Sequence, residues 1–272
     1  MNGSKVKDGR YDYFNYWYFA YDKFTYPLRI QPIYLGLFTN VGLVLLLYIK
    51  NCIKLKSYYF RLASLSVLIL LVASRSQIFI FVLNYSLFLL IFDKSNLQKK
   101  VLTICSLVAV FAIISLINPV TRTRLIEAVT YNEAFYKDDF GGASIRIMKW
   151  NSALRRIKNS PVFGYGVGDG KNELLEQYKR DKFYLGFYNK YNAHNQYLDT
   201  VLCLGFIGLI ILLLIIFYAY KYAVNSMSLF LITNIFTVGF LTESILYRQW
   251  GIMAFSFLLV MFSVFKLEKH ED

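Results

Sequence analysis

His194 and Asn195 stand side by side just before a long apolar stretch, and His194 is one of only two histidines, the other being His270. Arg75, Arg146, Arg248 and the acid Glu243 lie at or near the ends of apolar or amphipathic segments. A histidine is the side chain best suited to take a proton from a hydroxyl near neutral pH. A guanidinium donates two parallel hydrogen bonds to a phosphate. The combination suits activation of a hydroxyl beside a phosphate-bearing anion. Each residue also has a plainer reading. A solitary histidine is commonly a surface or core residue, and ionisable groups at helix ends snorkel or pair. A Ser-His-Asp triad stays open, although no Gly-x-Ser-x-Gly elbow is present. No second histidine or cysteine lies near His194 and no Asp-x-Asp motif occurs, so neither a metal nor a cofactor is expected.

Around these residues the segment from Gly142 to Gly208 is mostly polar until it meets the apolar stretch. Gly141-Gly142-Ala143-Ser144 reads as a turn ending in a helix N-cap, with Pro161 beyond the far end. Between them Ile147, Trp150, Leu154 and Ile157 recur at helical spacing as an apolar stripe. Arg146, Lys149, Ala153 and Arg156 fall on another face, giving a basic ridge. This helix could be an ordinary interfacial one, or it could offer Arg146 to a phosphate. The run Gly164-Tyr165-Gly166-Val167-Gly168 fails as a nucleotide loop, because Asp169 stands where the third glycine belongs and a helix precedes it. It reads as a tight path that brings main chain close to another surface, or as a plain loop.

The elements that must hold this segment are membrane helices. The chain has 272 residues and is 57% hydrophobic, with mean hydropathy +0.42, more apolar than a soluble domain of this length requires. Seven apolar windows, at about 33–49, 62–73, 78–92, 101–117, 197–220, 229–246 and 251–265, make candidate crossings. The expected fold is an all-α integral membrane protein with one large outward helical loop. Its parts are an aromatic interfacial segment (1–32), four crossings (33–117), the loop (118–196), three crossings (197–265) and a cytoplasmic tail (266–272).

The net charge of +13 is assigned by position. Lys50, Lys54, Lys56, Arg61, Lys94, Lys99, Lys100, Lys221, Lys266 and Lys269 fall in connectors that the positive-inside rule places in the cytoplasm, against membrane lipids. The loop then faces outward, where no nucleic acid is expected and an anionic lipid or glycolipid is the leading partner. Met1 to Arg10 lacks the apolar core of a cleavable signal peptide. Cys52, Cys105 and Cys203 are widely spaced and read as packing residues.

The ordered set Arg146-x3-Trp150, Pro161-x2-Gly164-x-Gly166-x-Gly168, His194-Asn195-x-Tyr197-Leu198 and Gly205-x2-Gly208 resembles the O-antigen ligase and polysaccharide polymerase superfamily. Ser74-Arg75 resembles that family's Ser-Arg motif at an outer helix end, and Leu241-Thr242-Glu243-Ser244 and Arg248-Gln249-x-Gly251 are also similar. The resemblance implies a metal-independent glycosyltransferase of the GT-C type in the bacterial cytoplasmic membrane, with its site on the periplasmic face. The donor would be a glycan on undecaprenyl pyrophosphate. The acceptor would be lipid A-core in a ligase, or another carrier-linked repeat unit in a polymerase. His194, Arg146 and Arg75 would be catalytic; Arg248, Glu243, Asn195, Trp150, Gly164, Gly166 and Gly168 would form the substrate-binding set, with Asn195 and Trp150 as supports. Relatives have ten or more crossings, which implies a shortened amino-terminal part here, and Gln31 stands where some relatives carry a histidine. A flippase for polyprenyl-linked sugars and an inactive remnant are the rival readings. A flippase would bring polar or broken helices near mid-membrane, whereas the polar residues are expected to gather at one face.

Overall fold

The computed structural model describes residues 20–118, 122 and 142–268. Most of the aromatic segment, the turn at Gly141 and nearly all of 119–141 lie outside those residues. Every regular element among the described residues is helical. Helices α1 (Tyr21–Thr25), α2 (Pro32–Tyr48), α3 (Leu55–Val72), α4 (Arg75–Leu87) and α5 (Leu97–Ile117) come first, with a π-helical turn, Phe88–Phe92, extending α4. Helices α6 (Gly142–Ile157), α7 (Gly170–Arg180) and α8 (Tyr184–Tyr188) form the polar segment. Helices α9 (Gln196–Ala223), α10 (Met227–Gly239) and α11 (Gln249–Glu268) complete the chain.

All seven apolar windows are helical. Four stretches, Leu55–Val72, Arg75–Phe92, Leu97–Ile117 and Gln196–Ala223, are long and apolar enough to cross a membrane, and α2, α10 and Gln249–Val264 are apolar but shorter. Pro32 starts α2 where its missing N–H costs nothing. The side chains of Asn96, Asn195 and Ser226 cap α5, α9 and α10 by accepting main-chain N–H groups. Two boundaries differ most from the windows. Helix α3 begins at Leu55 rather than 62, and α10 stops at Gly239 rather than 246. The second difference has a local cause: the Phe240 carbonyl accepts the Gln196 N–H at 2.8 Å, so it is diverted from continuing the α10 ladder. The chain turns instead and enters a short 3-10 helix, Ile245–Tyr247.

The main core is built from α2, α3, α4, α9, α10 and α11 around Leu37, Leu43, Ile69, Phe81, Leu231 and Phe236. Polar residues are not confined to one face as expected. Asn40, fully buried, donates to the Gly36 carbonyl and to Gln77 Oε1, at 3.1 and 3.0 Å. Asn84 donates to the Leu231 carbonyl at 3.2 Å, and Asn234 donates to Asn84 Oδ1. These amides link α2 to α4 and α4 to α10, with Asn40 Oδ1 and Gln77 Nε2 left without a partner among the described residues, a cost in apolar surroundings that favours pairing of the rest.

A second core seats α6, α7 and α8 on the start of α9, through Ala153, Ile157, Leu174, Tyr178, Phe183, Val201 and Leu202. Two readings of α6 are corrected. It starts at Gly142, before the expected cap at Ser144. Its two expected faces also do not divide into outside and inside: of the ridge, Lys149 and Ala153 are buried and Arg146 and Arg156 half-buried, while of the stripe Ile157 is buried, Trp150 half-buried and Ile147 and Leu154 exposed. Arg156 pairs with Glu173, and Asp181 accepts from Ser152 at 2.5 Å and Arg155 at 2.7 Å. Those bonds, from Glu173 of α7 and from Asp181 just after it, hold this polar side of α6 against its neighbour.

The glycine run explains how this layer locks to α9. Gly205 interrupts α9 with φ +67°, which frees main-chain groups on either side. The loop fills the break: the Tyr165 and Gly166 N–H groups donate to the Leu202 and Cys203 carbonyls at 2.9 and 2.8 Å, and Phe206 N–H donates to the Pro161 carbonyl at 2.8 Å. A Cβ on Gly164 would stand 2.5 Å from the Cys203 main chain, and one on Gly205 would stand 1.9 Å from the Val162 oxygen. The main chains therefore meet without side chains between them.

Candidate functional site

The short break between α10 and α11 and the loop entering α9 hold the histidine. His194 sits in the left-handed region at φ +49°, which costs a non-glycine residue roughly 1 kcal/mol and is sustained by its neighbours. Its N–H donates to Asn192 Oδ1 at 3.3 Å, and the preceding Ala193 N–H donates to Asp199 Oδ1 at 3.3 Å. Asn195 then caps α9 through Leu198 N–H at 3.1 Å and donates to the Leu241 carbonyl at 3.2 Å. Gln196 accepts the Leu246 N–H at 2.7 Å. Tyr34 of α2 donates to the Ile245 carbonyl, and Lys171 of α7 stands 5.4 Å from the Tyr247 ring centre. The start of α9, α2 and α7 thus grip residues 240–247.

That grip sets Glu243 against His194, with Nδ1 and Oε2 2.8 Å apart. A carboxylate on Nδ1 selects the Nδ1–H tautomer and leaves Nε2 with its lone pair. Burial works against ionisation of Glu243, but the hydrogen bond and charge of His194, the Ser244 N–H and the charge of Lys149 outweigh it and hold the carboxyl below its ordinary range. The Tyr191 ring meets the imidazole edge-on at 6.1 Å between ring centres. An imidazole held by a carboxylate in this way is chemically able to receive a proton on its outer nitrogen.

The cations distribute unevenly around it. Arg146 lies half-buried on α6, close enough to Lys149 for their charges to interact. Arg248 is exposed directly after the 3-10 helix, and its charge and that of Glu243 both act on Tyr34. Arg75 is the first residue of α4, half-buried, just beyond the left-handed turn at Ala73. Trp150 is half-buried, with its indole nitrogen shielded. Gly164 is committed to the seam with α9, while Gly166 and Gly168 have open space where a Cβ would stand.

Sequence reasoning put Glu243 in the substrate-binding set; here its contact is with the histidine. It missed Tyr191 and Asp199 and did not single out Lys149. Asp199 had a usable signal, an acid within an apolar stretch five residues after His194. Lys149 had a weaker one, its place one turn after Arg146. A cavity of about 1070 Å³ lies at the opposite end, among Lys50, Asp93, Lys94 and Asn225, with Lys50 and Asp93 already paired at 3.4 Å. It shares no residue with the histidine site.

The profile of the family described as O-antigen ligase matches residues 60–214, more than half of the 272 residues. A protein of Haemophilus influenzae, described only as uncharacterized, is 33% identical over 103 residues, 38% of this chain and 25% of that protein. The chain thus spans about a quarter of the length of the curated relative it matches.

Proposed function

This chain belongs to the O-antigen ligase family, and from that premise we propose that it is a membrane glycosyltransferase that moves a glycan from undecaprenyl pyrophosphate to a hydroxyl acceptor. The reaction takes place at the outer face of the bacterial cytoplasmic membrane. The observation that carries this reading is the His194–Glu243 pair at 2.8 Å, beside a helix that brings Arg146 and Lys149 to the same place.

The acceptor oxygen attacks the anomeric carbon as the bond from that carbon to the pyrophosphate oxygen breaks. His194 Nε2 takes the hydroxyl proton, and Glu243 stabilises the positive ring that results. The bonding electrons leave on the pyrophosphate, whose growing charge is met by Arg75 and Arg146. Arg248 helps hold the carrier or acceptor at the mouth. Trp150 and Asn195 support the surroundings, and Gly166 and Gly168 leave room for substrate. The acceptor is lipid A-core for a ligase or a carrier-linked repeat unit for a polymerase. A flippase gains little support from the buried amides of α2, α4 and α10, because they bond to each other or to main-chain carbonyls rather than line an open path.

Deletion of the gene, with complementation by wild type, Arg75→Lys or Arg146→Lys, tests the reading. Loss of long surface glycan on deletion, restored by wild type and not by the lysine variants, supports transfer with bidentate phosphate recognition. Unchanged surface and carrier-linked glycans on deletion would refute it.

A further inference from the structure

Lys149 is a lysine where the fold has every reason to place an apolar residue. It is 5% exposed, against the second core. Its amine stands 3.8 Å from the centre of the Tyr191 ring, whose edge contact with His194 joins it to the base. Among the described residues it forms no hydrogen bond and no ion pair. Among the described residues, the charged groups nearby are these. Arg146, one turn earlier, repels it, and Glu243 attracts it from the connector while bonded to His194. From α7, Glu173 pairs with Arg156; Asp181 accepts from Ser152 and Arg155; on α9, Asp199 takes the Ala193 N–H. Burial pushes the amine down to about 7, with Glu243 resisting and Arg146 assisting. A buried amine facing a second cation gains most when an anion arrives between them.

Resting on the carrier-pyrophosphate reading above, we propose that Lys149 is a diphosphate-binding residue of the same site, which takes a proton from solvent as the diphosphate enters and completes a two-cation clamp with Arg146. The proton goes to Nζ on binding and returns to solvent on release, with no covalent change. The aromatic face of Tyr191 favours the charged amine once it forms. A lysine allows this proton exchange and an arginine does not, because arginine never gives up its proton. Without ligand, the site is spared a permanent pair of neighbouring cations, one of them buried.

Titration calorimetry of the full chain in detergent with farnesyl diphosphate at about pH 8.5 tests this, repeated in two buffers of different ionisation enthalpy. A phosphate's second ionisation, near 6, is complete there, so the ligand holds no proton to exchange. The wild type should take up close to one proton per ligand bound, since the amine changes from mostly neutral to charged. Lys149→Arg should bind within about threefold of wild type and take up none. Lys149→Met should bind about tenfold or more weaker, the loss expected for a hydrogen bond to a charged group, and also take up none. Uptake that persists in either variant, or wild-type affinity in Lys149→Met, would overturn the assignment of Lys149. No binding by the wild type would overturn the carrier-pyrophosphate reading itself.

Discussion

Glutamine in place of Glu243 keeps the length of the side chain and an acceptor oxygen, and removes only the charge facing His194 Nδ1 at 2.8 Å. If His194 takes the acceptor proton, its ring gains a positive charge during the step, so the carboxylate is worth more at the transition state than in the ground state. A hydrogen bond to a charged group contributes roughly 1.5–3 kcal/mol. The His194 and Glu243 side chains are 30% and 14% exposed, so water screens part of that and the lower half of the range applies. About 1.5–2 kcal/mol of lost transition-state stabilisation lowers kcat by about 10- to 30-fold. KM should stay near wild type, because the charge acts on proton transfer and not on the carrier. The assay is transfer from a fluorescent carrier-linked glycan in proteoliposomes, with kcat and KM resolved and thermal unfolding recorded to show that the variant is folded. A folded Glu243→Gln protein with wild-type kcat, or one whose whole defect lies in KM, would refute the role given to the pair.

Gly205→Ala should lower Tm by at least about 5 °C, because a left-handed alanine and a methyl group forced against the Val162 carbonyl together cost more than about 2 kcal/mol. Gly168→Ala, which meets nothing within 4 Å, is the matched control and should unfold with the wild type. Lys149→Met should be more stable than wild type at pH 7, with the gap narrowing toward pH 10. The sign follows from an amine whose folded value, about 7, lies below its ordinary 10.5, so the unfolded chain holds more protons in that window and wild-type stability rises with pH. A gap that widens as pH rises, in unfolding curves taken from pH 7 to 10, would contradict the buried neutral amine.

Each of the seven apolar windows holds a helix, four of them in stretches long and apolar enough to cross a membrane, because a helix surrounded by lipid or by other apolar helices needs an uninterrupted apolar run. They misjudged the end of α10, since Phe240 and Leu241 continue the run and only the Gln196 N–H, 44 positions earlier in the chain, takes the carbonyl that would extend it. The same stop positions Glu243, so its partnership with His194 was hidden for the same reason. The helical pattern of α6 placed its apolar and basic residues along the helix, yet not which of them turn inward. That depended on Glu173 and Asp181, which periodicity does not connect to Arg156, Ser152 and Arg155. The glycine run was legible as a close approach of main chain, because glycine alone adopts such geometry freely. Its partner, the break at Gly205, was not.

The most direct measurement is single-turnover transfer by reconstituted His194→Ala protein, with carrier binding followed in parallel. If His194 receives the acceptor proton, the variant binds the carrier-linked glycan as the wild type does and transfers it at least about 100-fold more slowly, the scale of general base catalysis. Transfer within threefold of wild type would show that the proton goes elsewhere.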